Sequence, residues 1–194
     1  MKAFIIAATI SLGASALAVA QDQLSTARDL YASASYDEAL TLLTQVHDAI
    51  GAGPVADRAE QYRAFCLFAL GRTAEATAVA ERLITANPLL SVENDASPRI
   101  VSMFSDARKR LLPPLIRDQY RSARASMDKK DYAGAEPQLV KVRRLLDEAA
   151  TVGLSDETLA DLGVLVDGFL DLARSAAPHA NAAAPAAVAA PSTL

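Results

Sequence analysis

The sequence contains few of the residues that covalent, redox or metal chemistry requires. Its 194 residues include one cysteine, two histidines and no tryptophan. Cys66 has no second cysteine to pair with inside the chain, and its position between two apolar neighbours is typical of a small core residue. His47 and His179 make no metal-ligand spacing with it. We therefore predict no catalytic residue, no cofactor and no metal site, and hence no enzyme.

Aromatic residues are also scarce, at 5% of the chain, although 52% of the residues are hydrophobic. Alanine is the most common of these hydrophobic residues. Alanine has the highest helix propensity, and its small side chain lets neighbouring helices approach closely. The composition therefore predicts an all-α fold.

The net charge of −4 is small, which argues against a nucleic-acid-binding protein. The charges are unevenly distributed. Residues 100–146 hold 11 Lys/Arg against 5 Asp/Glu, whereas residues 147–171 hold 7 Asp/Glu and no Lys/Arg. Two interpretations stay open: these are solvated helix faces that partly neutralise one another, or the arginine-rich middle contacts an acidic partner.

The first twenty residues have the pattern of a secretory signal peptide. Lys2 precedes an uncharged apolar stretch, which ends in small residues before Gln21. This order predicts cleavage after Ala20, with 1–20 removed and the mature chain periplasmic or secreted. A membrane anchor is the alternative, but Gln21 and Asp22 follow where cationic flanking residues are usual. We expect no stable membrane span after cleavage.

Apolar residues at helical spacing, together with Gly and Pro positions, predict paired helices over a single domain at 21–175. The predicted helices are 24–34 and 36–50, 57–70 and 73–86, an additional helix over 98–112, then 115–129 and 132–146, and a last helix over 156–174. Pro113 and Pro114 are expected to end the additional helix. The Ala/Pro-rich segment 176–194 is predicted to be a disordered tail.

Small and large residues recur across the turns of these pairs in three places. The clearest set is Ala64, Leu67, Gly71, Ala76, Ala80, Leu83 and Pro88; the first is Ala27, Leu30, Tyr36, Ala39, Leu43 and Val46; the third is Ala123, Tyr132, Ala135, Leu139 and Val142. The pattern resembles tetratricopeptide repeats (TPR), which are helical hairpins of about 34 residues. The resemblance implies a helical-hairpin solenoid, with 98–112 as an inserted helix and the last helix as a C-terminal cap.

In such a solenoid the first helix of each pair lines a concave face. The residues that would form this predicted groove are Arg28, Tyr31, Arg58, Gln61, Phe65, Phe68, Arg117, Tyr120, Arg124 and Met127. Aromatic residues with arginine are typical of binding hot spots, and the arginines suit an acidic peptide. The alternative is that Phe65, Phe68 and Met127 pack in the interior.

We therefore expect a non-enzymatic periplasmic adaptor or scaffold that binds a peptide or envelope protein on its concave face. A self-associating, dimeric envelope subunit is one alternative, and it would use the broad apolar face of the last helix. The N-terminal part of a TonB-like energy-transduction protein is another. The partner is expected to be a protein or peptide and not a nucleic acid.

Overall fold

The structure is a computed structural model that describes residues 11–49, 51–154 and 156–182. Those residues form seven helices and no strand, which confirms the all-α prediction. The helices are α1 (Ser11–Ala32), α2 (Tyr36–Ala49), α3 (Pro54–Ala69), α4 (Thr73–Ala86), α5 (Pro98–Asp128), α6 (Tyr132–Thr151) and α7 (Glu157–Ala182). The bounds of α4 match the prediction, and the other helices differ from it at one or both ends.

The chain divides into two compact units, Met1–Leu111 and Leu112–Leu194, which we call unit 1 and unit 2. Each has its own hydrophobic core. The boundary falls within α5, so the first part of this helix packs into the core of unit 1 and the second part into that of unit 2.

Helix α5 corrects one prediction. It continues through Pro113 and Pro114, where the sequence predicted two separate helices. These prolines lack the N–H groups that would bond to the preceding turn, a loss that usually ends a helix. Leu112 and Ile116, one turn apart on either side of the prolines, are both fully buried. Burial of that continuous face outweighs the local penalty.

In unit 1, α1 packs against α2 and α3 against α4, while α3 also contacts α1 and α2. Alanines lie at these helix contacts, and Ala27, Ala39, Ala64 and Ala80 are completely buried. Without long side chains between them, the helix backbones can approach closely. In unit 2, α6 packs against α7, and the second part of α5 shares their core.

The same turn follows α1, α3, α5 and α6, each time with one residue in the left-handed region. These residues are Ala34 (φ 62°), Gly71 (φ 77°), Lys130 (φ 61°) and Gly153 (φ 81°). In every case the N–H of this residue donates to the carbonyl three residues earlier, and the next N–H donates to the carbonyl five residues before it. This is the Schellman pattern, which satisfies the last carbonyls of a helix. A single hairpin geometry therefore repeats along the chain.

Side-chain caps begin the later helices. The Ser97 hydroxyl accepts a 3.4 Å hydrogen bond from the Ile100 N–H at the start of α5. Asp131 accepts one from the Gly134 N–H at the start of α6. Asp156 lies before α7, and its carboxylate accepts a 2.8 Å bond from the N–H of Leu159.

The C-terminal helix is longer than predicted. Helix α7 ends at Ala182, so residues 176–182 are helical where a disordered tail was expected. The high helix propensity of alanine explains the extension. Residues 183–194 of the predicted tail and residues 1–10 of the predicted signal peptide lie outside the described residues. Among the helices that the structure describes, none has the length and apolar character needed to cross a membrane.

Candidate functional site

Unit 1 contains a cluster of aromatic rings in which Phe65 is central. Its ring lies 5.3 Å from Tyr62, 5.9 Å from Tyr31 and 6.2 Å from Phe104, measured between ring centroids. Tyr36 joins the cluster through Tyr31. Tilted and edge-on contacts of this kind stabilise a core beyond the area that they bury. The cluster is therefore packed interior and not an open surface.

Two residues of the predicted groove are consequently placed differently from expectation. Phe65 is completely buried, and Gln61 is 1% exposed. Helical spacing correctly put both on one side of α3, but the rest of the chain covers that side. Neither side chain is available to a partner, contrary to the prediction. For Phe65 the alternative of interior packing is the correct one.

The segment 87–97, which connects α4 to α5, covers this side of α3. Gln61 donates from Nε2 to the carbonyl of Ser91 (3.2 Å), and its Oε1 accepts a bond from the N–H of Glu93 (3.0 Å). Arg58 forms an ion pair with the Glu93 carboxylate at 3.2 Å. The Tyr62 hydroxyl donates to Asp95 at 2.6 Å. An acidic segment of the chain itself thus occupies the place predicted for an acidic peptide.

Electrostatic contacts hold Arg28 beside the same cluster. Its guanidinium lies over the Tyr62 ring, 5.4 Å from the centroid, although the arginine itself is exposed. The pKa of Arg28 is raised, chiefly by Tyr62. Burial raises the pKa of Tyr62 well above its ordinary value of 10, and the hydrogen bond to Asp95 raises it further. Tyr62 is therefore a neutral hydrogen-bond donor at physiological pH.

Phe68, the last predicted groove residue of α3, is partly exposed. It lines a recess of about 600 Å³ in unit 1 together with Met103 of α5 and two arginines, Arg99 and Arg110. Arg110 forms an ion pair with Glu81 of α4. The predicted groove residues of unit 1 therefore do not form one surface. Arg28 and Arg58 are exposed, Gln61 and Phe65 are buried, and Phe68 lines a separate recess.

Cys66 is buried and His47 lies beside a carboxylate, so neither is placed as a nucleophile. Burial raises the pKa of the Cys66 thiol to about 12, so the thiol is protonated near neutral pH. His47 lies 3.2 Å from the buried Glu60, which also pairs with Arg63 and Arg82. Among the described residues no group of three potential ligands could hold a metal ion.

Unit 2 presents an open groove between α5 and α7, with a volume of about 710 Å³. The α5 wall carries Arg117, Tyr120, Arg121 and Arg124. Three of these were predicted as groove residues, and the structure brings them together on one wall. The fourth predicted residue of this stripe, Met127, is 7% exposed and packs in the core of unit 2, so its assignment to the groove was wrong.

The second wall was not predicted. It consists of Glu157, Thr158, Leu159, Asp161, Leu162 and Leu165 of α7. The resemblance implied a capping role for α7, and its broad apolar face was the self-association surface of the dimeric alternative. That breadth was the available signal, because a helix that only covers a core needs a narrower stripe.

The two walls of the groove carry charge of opposite sign, and apolar side chains such as Tyr120 and Leu162 lie between those charges. On the α5 wall, Arg124 stacks 5.9 Å from the ring centroid of Phe169, which also contacts Tyr120. The buried hydroxyl of Tyr120 has no hydrogen-bond partner among the described residues. Arg121 pairs with Asp118 of its own helix at 3.0 Å. Such a site can hold an apolar segment and orient its carboxylates.

Comparison with known proteins adds no identification. No family model, curated protein or solved structure matches this chain.

Proposed function

We propose that the chain is a non-enzymatic protein-binding adaptor, and that its binding site is the groove between α5 and α7 in unit 2. The observation that carries the proposal is the groove itself, in which three arginines of one wall border exposed apolar side chains. Aromatic and arginine side chains are the residues that most often dominate binding energy at interfaces.

The proposed ligand is an acidic polypeptide segment with apolar side chains. Arg117, Arg121 and Arg124 project from one helix, spaced three or four residues apart, and arginine can bind a carboxylate through two parallel hydrogen bonds. Tyr120 and Leu162 supply apolar area between the walls. The apolar contacts provide affinity, and the arginines select the sign and orientation of the ligand.

We further propose that the helix pairs have a TPR-like arrangement and that the protein works in the periplasm. The repeated Schellman turns and the packing of α3 on both α1 and α2 support the first part. The signal-peptide pattern of residues 1–20 supports the second. The TonB-like alternative stays a prediction without a supporting contact.

The test is site-specific photocrosslinking in the native host. A photoreactive amino acid replaces Thr158, which lines the groove, and in a control it replaces Thr41, which is exposed on α2. We expect protein adducts from position 158 and few from position 41. Adding Arg117→Glu should remove the adducts, because it replaces one positive charge of the wall with a negative one and leaves the apolar side chains of the groove unchanged.

A matched control reverses Arg144, which is exposed on α6 in the same unit and outside the groove. Arg144→Glu changes the net charge equally and should leave the adducts in place. Equal adducts at positions 158 and 41, or adducts that survive Arg117→Glu, would contradict the proposal.

A further inference from the structure

Helix α7 is apolar on two opposite sides. Leu159, Val166 and Leu170 face the core of unit 2 and are buried. On the other side Val164 is 74% exposed and Leu165 is 52% exposed. Leu165 and the exposed Leu172, two turns apart, share one face of the helix, and large aliphatic side chains together on an exposed face indicate an interaction surface.

The carboxylates of α7 surround this exposed face. Asp161 lies one turn before Leu165, and Leu172, itself 48% exposed, follows Asp171. Residues 147–171 contain no basic residue. Helix α7 therefore has the chemistry that the groove requires of its ligand, an acidic segment with exposed apolar side chains.

The groove is also self-complementary. One wall is basic, through the arginines of α5, and the other is acidic, through Glu157 and Asp161 of α7. Suppose that two copies face each other across a twofold axis that runs parallel to the groove. The basic wall of each copy then lies opposite the acidic wall of the other. In a twofold interface every contact occurs twice, so each favourable charge pair is doubled.

We infer that the occupant of this groove is a second copy of the chain, which presents its α7 face. This inference rests on the proposed function, because it names the partner of the same site. Leu165 lines the groove and is also exposed, so it contributes to the apolar centre of the interface. Arg117 and Asp161 flank that centre on opposite walls.

Arg117 and Asp161 are available to form ion pairs with a second copy. In the part of the chain that the structure describes, Arg117 has no carboxylate and Asp161 has no basic group within ion-pair distance. Exposed pairs contribute little to affinity on their own, so the apolar residues hold the dimer together. The two charges set its register, and reversing either one places like charges opposite each other.

The first experiment measures the mass in solution by sedimentation equilibrium over a range of protein concentrations. The wild-type chain is expected to form a dimer. Leu165→Asp should weaken dimerisation by roughly a hundredfold, because it places a carboxylate at the apolar centre. Val101→Asp is the matched control, since Val101 is similarly exposed (46%) but lies in unit 1. It should leave the dimer intact.

The second experiment tests the register by charge reversal. Arg117→Glu and Asp161→Arg should each weaken the homodimer by roughly tenfold or more. Mixing the two variants should restore association as a heterodimer, because each reversed charge then meets an opposite one. Arg144→Glu and Glu38→Lys, on exposed positions of α6 and α2, should change nothing. Circular dichroism checks that every variant is folded.

The outcomes separate this inference from the proposed function. A wild-type chain that stays monomeric at the highest concentration, or variants that do not associate when mixed, would overturn the second copy as the occupant. If position 158 then still crosslinks to another protein in an Arg117-dependent way, the groove remains a binding site with a different partner. If it crosslinks to nothing, the groove proposal fails as well.

Discussion

The Tyr62 hydroxyl donates a 2.6 Å hydrogen bond to the carboxylate of Asp95, which is 33 residues further along the chain. This bond fixes the segment 87–97 on the surface of α3 beside the two backbone bonds that Gln61 makes to the same segment. Gln61 and Arg58, two residues of the predicted groove, therefore anchor part of the fold.

Tyr62→Phe removes this bond while keeping the ring. A hydrogen bond to a charged group contributes about 1.5–3 kcal/mol, so we expect the free energy of unfolding to fall by about that amount. Urea unfolding followed by circular dichroism measures the change. Tyr132→Phe is the control, because no hydrogen bond involves its hydroxyl among the described residues, and it should have little effect.

A double-mutant cycle with Asp95→Asn isolates the pair. The two substitutions together should cost less than the sum of their separate effects, because both remove the same interaction. Strictly additive costs would show that the bond does not stabilise the fold.

Alkaline pH should weaken unit 1. Burial and the bond to Asp95 raise the pKa of Tyr62 in the folded chain above its ordinary value of 10. The resulting stabilisation is fully present below pH 10 and is lost as the pH rises from there through the folded-state pKa. The stability difference between wild type and Tyr62→Phe should therefore shrink as the pH rises from about 10 to about 12. A difference that is constant over this range would contradict the assigned cause.

The turn residue Ala34 is in the left-handed region at φ 62°, where Gly71 and Gly153 occupy the equivalent positions of two other hairpins. A side chain is unfavourable there by about 1–2 kcal/mol, which exceeds the entropic cost of glycine in the unfolded chain. Ala34→Gly should therefore raise the free energy of unfolding by about 0.5–1 kcal/mol.

Ala78→Gly makes the same chemical change at an exposed position inside α4, where it should lower that free energy by about 1 kcal/mol. Opposite signs for the two variants test the role of the turn. A loss of stability in Ala34→Gly as large as that in Ala78→Gly would contradict it.

Local rules predicted the helices whose ends depend on neighbours in sequence. The bounds of α4 follow from the Gly71 turn and from Pro88, and Ser97 and Asp131 cap helices through hydrogen bonds to residues three positions later. Pro113 and Pro114 were misjudged because their local effect opposes the burial of Leu112 and Ile116. That burial depends on tertiary packing, which periodicity does not describe.

The candidate site was predictable only in part, for the same reason. Helical spacing placed Arg117, Tyr120 and Arg124 on one face of α5, and the structure agrees. The covering of Phe65 depends on Tyr31 of α1 and Phe104 of α5, which are each more than thirty residues away in the chain. The opposite wall of the groove comes from α7, and its pairing with α5 leaves no pattern in a single sequence.

The Cys66 thiol should be almost inert in the folded protein. It is completely buried and its pKa is raised to about 12, so both access and thiolate formation are suppressed. We expect a thiol-specific reagent to react at least about a hundredfold faster after denaturation. Ser102→Cys in a Cys66→Ala background gives the exposed reference and should react rapidly in the folded state. Equal rates at the two positions would show that Cys66 is accessible.

Pro114 lies on an exposed position of α5, at the boundary between the two units, and should cost stability there. A proline inside a helix is about 3 kcal/mol less favourable than alanine, because it removes a backbone donor and crowds the preceding turn. Pro114→Ala should therefore raise the free energy of unfolding by about 1–3 kcal/mol. Pro54→Ala is the matched control, because Pro54 begins α3, where no intrahelical N–H bond is lost, and it should change little. If Pro114→Ala is neutral or destabilising, the two prolines must instead favour a backbone geometry that the junction of the two units requires.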